Sequence, residues 1–254
     1  MIKIIINGIL GKMGKEISRS ISKEADMQLV GGIDQRETTL EDGILVSKFA
    51  DSLLASADLV IDFSMPEGTV EIATACLKFE KPLITGTTGL STEQQRDIIS
   101  LSKQAPVVQA SNFSIGINLI NQLIRTAGQV LKGSVDAEIV ETHHRHKKDS
   151  PSGTALTLGR TLAQALGADE KSFQFGRSGG QMMRENEIAF HSLRGGSVVG
   201  EHQVHLLCEN ENIIITHQAL SRAVFVDGVL KAAKWIMAKS PALYDMGDVL
   251  GFAG

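Results

Sequence analysis

A chain of 254 residues with 43% hydrophobic content is long enough for two domains or one large one, and too apolar to be intrinsically disordered. Its formal net charge of -4 excludes a general nucleic-acid binder, whose affinity rests on a net cationic face. Cys76 and Cys208 lie far apart in apolar surroundings and read as buried, reduced thiols of a cytoplasmic protein.

The apolar start, Ile2 to Ile6, stops at Asn7-Gly8. It is too short for a signal segment or a membrane span and reads as a buried first strand. Leu29 to Ile33, Leu59 to Phe63, Leu83 to Thr85 and Val107 to Ala110 are further strand candidates, with helical patterns filling most of the gaps. Fully apolar strands alternating with helices predict an α/β fold, a doubly wound parallel sheet over residues 1–113. Pro66-Glu67 opens a helix over 66–79, and Ser91-x-x-Gln94 forms a capping box. Beyond Ser114 the sequence predicts a helix from Gly116 to Leu131, a strand from Ala137 to Thr142 and a helix from Gly153 to Leu166. Glu187 to Leu193, Gln203 to Leu207 and Ile213 to Gln218 read as successive strands with short turns, hence antiparallel pairing in a second, smaller α+β domain with an open sheet. That domain spans 114–218. An amphipathic helix from Ala223 to Ala238 is expected to return, within 219–254, and pack on the first domain.

Two sets of residues carry chemistry. The first strand ends in Gly8-Ile9-Leu10-Gly11-Lys12-Met13-Gly14, where glycines let the backbone approach a pyrophosphate and the next helix start supplies N–H donors. Asp34 ends the second strand, where an acid can accept hydrogen bonds from adenosine ribose hydroxyls. Gly86-Thr87-Thr88-Gly89 and Ala110-Ser111-Asn112-Phe113 follow later strands on the same edge; the former is expected at the nicotinamide half, while Asn112 and Phe113 could bond or line the pocket.

The second set is the run from Glu141 to Thr154, with His143, His144 and His146 beside Arg145, Lys147 and Lys148. Ser152-Gly153-Thr154 after Pro151 presents backbone N–H groups at a helix start, where the macrodipole favours a carboxylate or phosphate. An acidic small molecule there would lie within reach of histidines that exchange protons near neutral pH. A metal site on His143-x-x-His146 with Asp149 or Glu141 is the main rival, disfavoured because three cations crowd the segment and no cysteine pair assists. A solvated charged loop is the other.

The run Glu141-x-His143-His144-x-x-Lys147-x-Asp149-x-Pro151-Ser152-Gly153-Thr154-Ala155 resembles the signature of the bacterial 4-hydroxy-tetrahydrodipicolinate (dihydrodipicolinate) reductases. Gly8 to Gly14, Gly86 to Gly89, Ser111 to Gly116, His191 to Gly196 and Gly200-Glu201-His202 are similar to that family in the same order, so the resemblance covers nearly the whole chain. It implies a Rossmann-like cofactor domain on 1–113 and a substrate-binding and oligomerisation domain on 114–218. It implies NADH or NADPH as hydride donor, a cyclic dicarboxylate as substrate, a homotetramer, and no nucleic-acid or membrane partner. On this sequence His143 and Lys147 become catalytic, and His144, Ser152, Gly153 and Thr154 bind substrate. Gly8, Ile9, Leu10, Gly11, Lys12, Met13, Asp34, Gly86, Thr87, Thr88, Ala110, Ser111, Asn112 and Phe113 become cofactor contacts; no metal is implied. The neighbouring cations favour release of a proton from Lys147, so Lys147 is taken as donor and His143 as the group that positions or relays. After Asp34 comes Gln35, which cannot neutralise a 2′-phosphate, so the cofactor choice leans to NADH, with Arg36 keeping dual use open. A homoserine or aspartate dehydrogenase would share the first domain but has no evident need for the histidine-lysine segment.

Overall fold

In the computed structural model, which describes residues 1–180 and 183–252, strand β1 (Ile2–Asn7) runs through the middle of a sheet, and Ile4, Ile5 and Ile6 are wholly buried. A continuous apolar run suits a strand covered on both faces. Helix α1 (Lys12–Ile21) leads to β2 (Met27–Ile33), parallel to β1. Two short strands follow that the apolar pattern did not announce, β3 (Thr38–Thr39) and β4 (Leu45–Ser47), then a one-turn helix α2 (Asp51–Leu54). The chain next crosses to the other side of β1 as β5 (Leu59–Asp62), and continues through α3 (Pro66–Phe79), β6 (Leu83–Thr85), α4 (Thr92–Ser102) and β7 (Val107–Gln109). Pro66 occupies the first turn of α3, and Ser91 with Gln94 forms the capping box of α4 in both directions.

Helix α5 (Ile115–Val130) precedes β8 (Asp136–His143) and α6 (Gly153–Leu166), after which come β9 (Phe173–Phe175), β10 (Ile188–Arg194), β11 (Gly200–Leu207) and β12 (Asn212–Ala219). The strand order is β12-β11-β8-β10-β9. The expectation of antiparallel pairing throughout needs correction: β11 pairs antiparallel with both β12 and β8, but β10 is parallel to β8 and β9. The reason is the crossover. β10 is reached from β8 through α6, a route that sets two strands parallel. The Gly195-Gly196 turn then carries the chain past the end of β8, where Gly195 N–H donates to the His143 carbonyl at 3.0 Å, so β11 lands on the far side of β8. Along β8 burial alternates, with Ala137, Ile139, Glu141 and His143 inward. The apolar pair at the front of that series joins Ile120, Ile124, Leu158 and Leu162 of α5 and α6 in one core.

Helix α7 (Ala223–Ile236), strand β13 (Leu243–Tyr244) and helix α8 (Met246–Leu250) complete the described chain. Val226, Val229, Ala232, Ala233 and Ile236 of α7 share a core with Ile4, Ile6, Ile17, Ile61 and Val108. The approach is close: a Cβ on Gly228 would stand 1.8 Å from the Phe113 carbonyl oxygen. Among the described residues the first sheet has the order β13-β7-β6-β5-β1-β2-β4-β3, parallel except for β3. Apart from β3 and β13, which extend its two edges, this is the Rossmann-like doubly wound order, with its switch point at β1. Contacts divide the chain into two compact units, Met1–Ile115 with Phe225–Gly254, and Gly116–Val224; residues 253–254 of the expected 219–254 return, and 181–182 of the expected 114–218 domain, lie outside the described residues. Of the two free thiols Cys76 is buried, and burial pushes it up from its ordinary range, whereas Cys208 is only half-buried, contrary to expectation, because it follows the last residue of β11 where the chain turns. No helix of the described residues is long and apolar enough to cross a membrane.

Candidate active site

In the first unit the loops after β1, β5 and β6 meet around Phe63 and Asp62. Gly8 has φ +80°, and a Cβ there would stand 2.6 Å from the Phe63 carbonyl oxygen; a Cβ on Gly14 would stand 2.3 Å from that of Gly8. Both positions therefore require glycine. Gly11 caps α1 without any side-chain cap bond, and Lys12 is exposed at the start of the helix. Of the other expected contacts in this turn, Ile9 is in the core while Leu10 and Met13 are half-buried. Asp34 lies against the turn: its Oδ2 accepts from Leu10 N–H at 2.9 Å and its Oδ1 from Gln35 N–H at 2.9 Å. A cavity of about 370 Å³ lies beside these strand ends, lined by Asn7, Ile33, Lys48, Phe49, Gly68 and Glu71 among others.

The Gly86 loop splits its two threonines. Thr87 is buried and its hydroxyl donates to Asp62, whereas Thr88 is exposed. Gly86 leaves room for the Phe63 ring, which a Cβ would meet at 2.2 Å. In the loop after β7, Ala110 and Asn112 are half-buried, Ser111 is exposed, and Asn112 Oδ1 accepts from Ser114 N–H at 2.8 Å. The Phe113 ring turns into the core, 5.6 Å from that of Phe63, and the residue as a whole is buried, so the expectation that it lines the pocket gains no support here. Asp62 was overlooked in the sequence; its one signal is an acid closing an otherwise apolar strand.

In the second unit β8 carries Glu141 and His143 on one face, two residues apart, and pairing sets His202 of β11 directly beside Glu141. Glu141 is buried. Its Oε2 lies 2.5 Å from His143 Nδ1, Arg194 grips both its oxygens at 2.9 and 2.7 Å, and Ser152 N–H donates to Oε1 at 3.2 Å. Burial acts to raise this carboxyl, but hydrogen bonds from His143, Arg194 and Ser192 outweigh it and hold it at about 2. An ionised carboxylate only accepts, so His143 Nδ1 is the donor in this contact and Nε2 is the ring nitrogen not engaged by Glu141. Gly200 backs that nitrogen; a Cβ there would stand 3.0 Å from it.

Ser152 caps α6, its hydroxyl accepting from Ala155 N–H at 3.1 Å and lying 3.1 Å from His202 Nε2. Its polar groups are thus committed within the protein, while Gly153 is exposed and Thr154 half-buried on the open side of the same turn. His202 is held neutral, its pKa pushed down to about 3 by burial first and by the charge of His143 second. His144 lies off the end of the strand, half-buried, and is lowered by partial burial and by the neighbouring charges of His143, His146, Arg222 and Lys147. Lys147 Nζ lies 2.9 Å from Asp149, whose carboxyl that hydrogen bond holds below its usual range. Glu141, Arg194, His202 and Arg222 are the participants that the sequence reading did not assign. Among the described residues no group of three or more His, Cys, Asp or Glu is arranged to hold a metal ion.

Comparison with known proteins covers both units. The family model described as dihydrodipicolinate reductase, N-terminus, matches residues 2–113, and that described as dihydrodipicolinate reductase, C-terminus, matches residues 116–250. The 4-hydroxy-tetrahydrodipicolinate reductase of Methanoculleus marisnigri is 42% identical over 99% of this chain and 100% of its own length; that of Syntrophotalea carbinolica is 39% identical over 99% of each. A dipicolinate-bound dihydrodipicolinate reductase from a Paenisporosarcina species superposes with a TM-score of 0.82 at 25% identity, covering 96% of this chain and 97% of that one. An aspartate dehydrogenase from Thermotoga maritima, at 12% identity and a TM-score of 0.53, shares the fold alone, over 94% of this chain and 98% of that one.

Proposed function

The chain belongs to the dihydrodipicolinate reductase family, and from that premise we propose that it reduces a cyclic dicarboxylate imine to tetrahydrodipicolinate in the diaminopimelate route to lysine. The observation that carries this reading is the segment from Glu141 to Thr154, in which an anchored histidine, a lysine and a helix start stand together. NADH or NADPH, when bound, supplies the hydride for ring C4; a proton at C3 balances it. The turn at Gly8 to Gly14 and the start of α1 fit a pyrophosphate, because the glycines leave no side chain in the way and no side-chain cap covers the helix start.

Gly153 and Thr154 at the start of α6 hold a substrate carboxylate, with Ser152 fixing the turn behind them and His144 as a further ligand. Lys147 gives the proton, kept in reach by Asp149. His143, held through Nδ1 by Glu141, orients the substrate or relays through Nε2. Cationic groups near two carboxylates also stabilise the negative charge that develops toward the ring nitrogen, which is the part that accelerates the reaction.

The lean to NADH rests on the negative charge of Asp34 and the lack of a basic residue directly after it; exposed Lys48, at the end of β4 beside the β2 terminus, joins Arg36 as a cation that keeps NADPH usable. Homotetramer formation draws support from the second sheet, where Val140, Leu193 and Ile214 share the face opposite α6, and Leu193 and Ile214 are exposed. A cytoplasmic location follows from the biosynthetic role. The test is consumption of NADH or NADPH when aspartate semialdehyde, pyruvate and a dihydrodipicolinate synthase generate the unstable substrate in place. Oxidation well above the enzyme-free blank is expected, and none above it overturns the assignment.

A further inference from the structure

We infer that Asp62 is a positioning residue for the cofactor turns, its buried carboxylate locking the strand ends from which those turns start. The inference rests on the cofactor reading above and adds a residue outside the glycine loops. Asp62 is wholly buried. Its Oδ1 accepts from Asn7 Nδ2 at 2.8 Å, Ser64 Oγ at 2.6 Å and Ser64 N–H at 3.2 Å. Its Oδ2 accepts from the hydroxyls of Thr69 and Thr85 at 2.7 Å each and of Thr87 at 3.0 Å.

Position gives this cluster its meaning. Asn7, Asp62 and Thr85 are register partners on three adjacent parallel strands. Asn7 immediately precedes Gly8, and Thr85 immediately precedes Gly86, so one carboxylate anchors the residue before each glycine turn. Through Thr87 it also holds a side chain inside the second turn, turning Thr88 outward. Backbone bonds repeat the connection: Phe63 N–H donates to the Asn7 carbonyl at 3.0 Å and Gly86 N–H to the Asp62 carbonyl at 2.9 Å. Among the described residues every donor to the carboxylate is neutral, so hydroxyls and amides hold it without a salt bridge. Apolar side chains would join three strand ends with less loss of hydration. What they would not do is fix the spacing and tilt of two turns that a dinucleotide must bridge, and a small misplacement there costs binding.

The experiment compares the parent chain with Asp62→Asn and Thr85→Val, by fluorescence titration of NADH and by hydrogen exchange without cofactor. Asp62→Asn should weaken NADH binding about tenfold or more, and Thr85→Val, which removes one of the donors, about threefold. Exchange should rise in peptides spanning residues 5–12 and 83–90, and stay unchanged in those spanning 137–158. A purely structural role predicts lower thermal stability with NADH affinity and loop exchange as in the parent, and that result overturns the inference. If Asp62→Asn does not fold, Thr85→Val decides alone: parent-like affinity and exchange refute the role. A parent chain that binds neither NADH nor NADPH refutes the cofactor reading itself, whereas a binding parent with indifferent variants refutes only Asp62.

Discussion

Asp62 and Glu141 are both buried carboxylates near the carboxyl end of a strand, yet their surroundings differ in kind. Hydroxyls, an amide and a backbone N–H surround Asp62, none of which changes charge near neutral pH. Glu141 faces a guanidinium and an imidazole. The first arrangement can only hold geometry. The second can also hold and pass on a proton, because an imidazole nitrogen can either donate or accept one. On the reading proposed above, burial of an acid serves a scaffold in one unit and proton chemistry in the other, and the identity of its donors tells the two apart.

The largest expected effect lies in the second unit. Lys147→Ala and His143→Gln should each lower kcat by about 100-fold or more at saturating NADH, the usual contribution of a positioned proton-transfer group. Near-normal turnover in Lys147→Ala beside a large loss in His143→Gln would reverse their roles. Next comes the cost of leaving Glu141 without its guanidinium partner. Arg194→Ala should destabilise the fold by about 3 kcal/mol, the usual cost of orphaning a buried charge, seen as a fall in Tm of roughly 6–12 °C. An unchanged Tm would mean that His143 and Ser152 suffice.

Acid should sharpen the contrast further. His202 ordinarily titrates near 6.5 and is pushed to about 3 in the fold, so the unfolded chain binds its proton first as pH falls. That contribution to stability is complete above 6.5 and drains away between 6.5 and 3. Glu141, ordinarily near 4.5 and held at about 2, adds a second loss between 4.5 and 2. Chemical denaturation across this range should show His202→Gln with a shallower decline by about one proton below pH 6.5. Parallel curves would show that His202 is not held neutral. The smallest effect concerns the cofactor: kcat/KM for NADH should exceed that for NADPH by a few-fold, Lys48→Ala should widen the gap, and a strong NADPH preference would contradict the lean.

The first half of the fold could be read from its apolar runs because parallel strands buried on both faces leave an unbroken signal, as Ile4 to Ile6 and Leu59 to Ile61 do. β3, β4, β9 and β13 could not, being only two or three residues long, too short for an apolar run or an alternation to show. The parallel placement of β10 was hidden for another reason: a turn reveals its own hand, while the crossover that decides a strand's neighbour lies a helix away. At the candidate site, His143, Lys147 and the α6 start could be proposed together because one short run of sequence, from the end of β8 to the start of α6, carries them all. Arg194 and His202 were not, since only pairing with β8 brings them to Glu141, and Asp62 is silent because its partners are scattered from Asn7 to Thr87.

The claim that the two acids serve different ligands is tested most directly by steady-state kinetics of Asp62→Asn and Glu141→Gln, varying NADH and the dicarboxylate in turn. Asp62→Asn should raise KM for NADH about tenfold and leave KM for the dicarboxylate within about twofold. Glu141→Gln should lower kcat about tenfold or more with KM for NADH within about twofold. Variants that move the same constants together, or in the opposite assignment, would contradict the division between scaffold and proton chemistry.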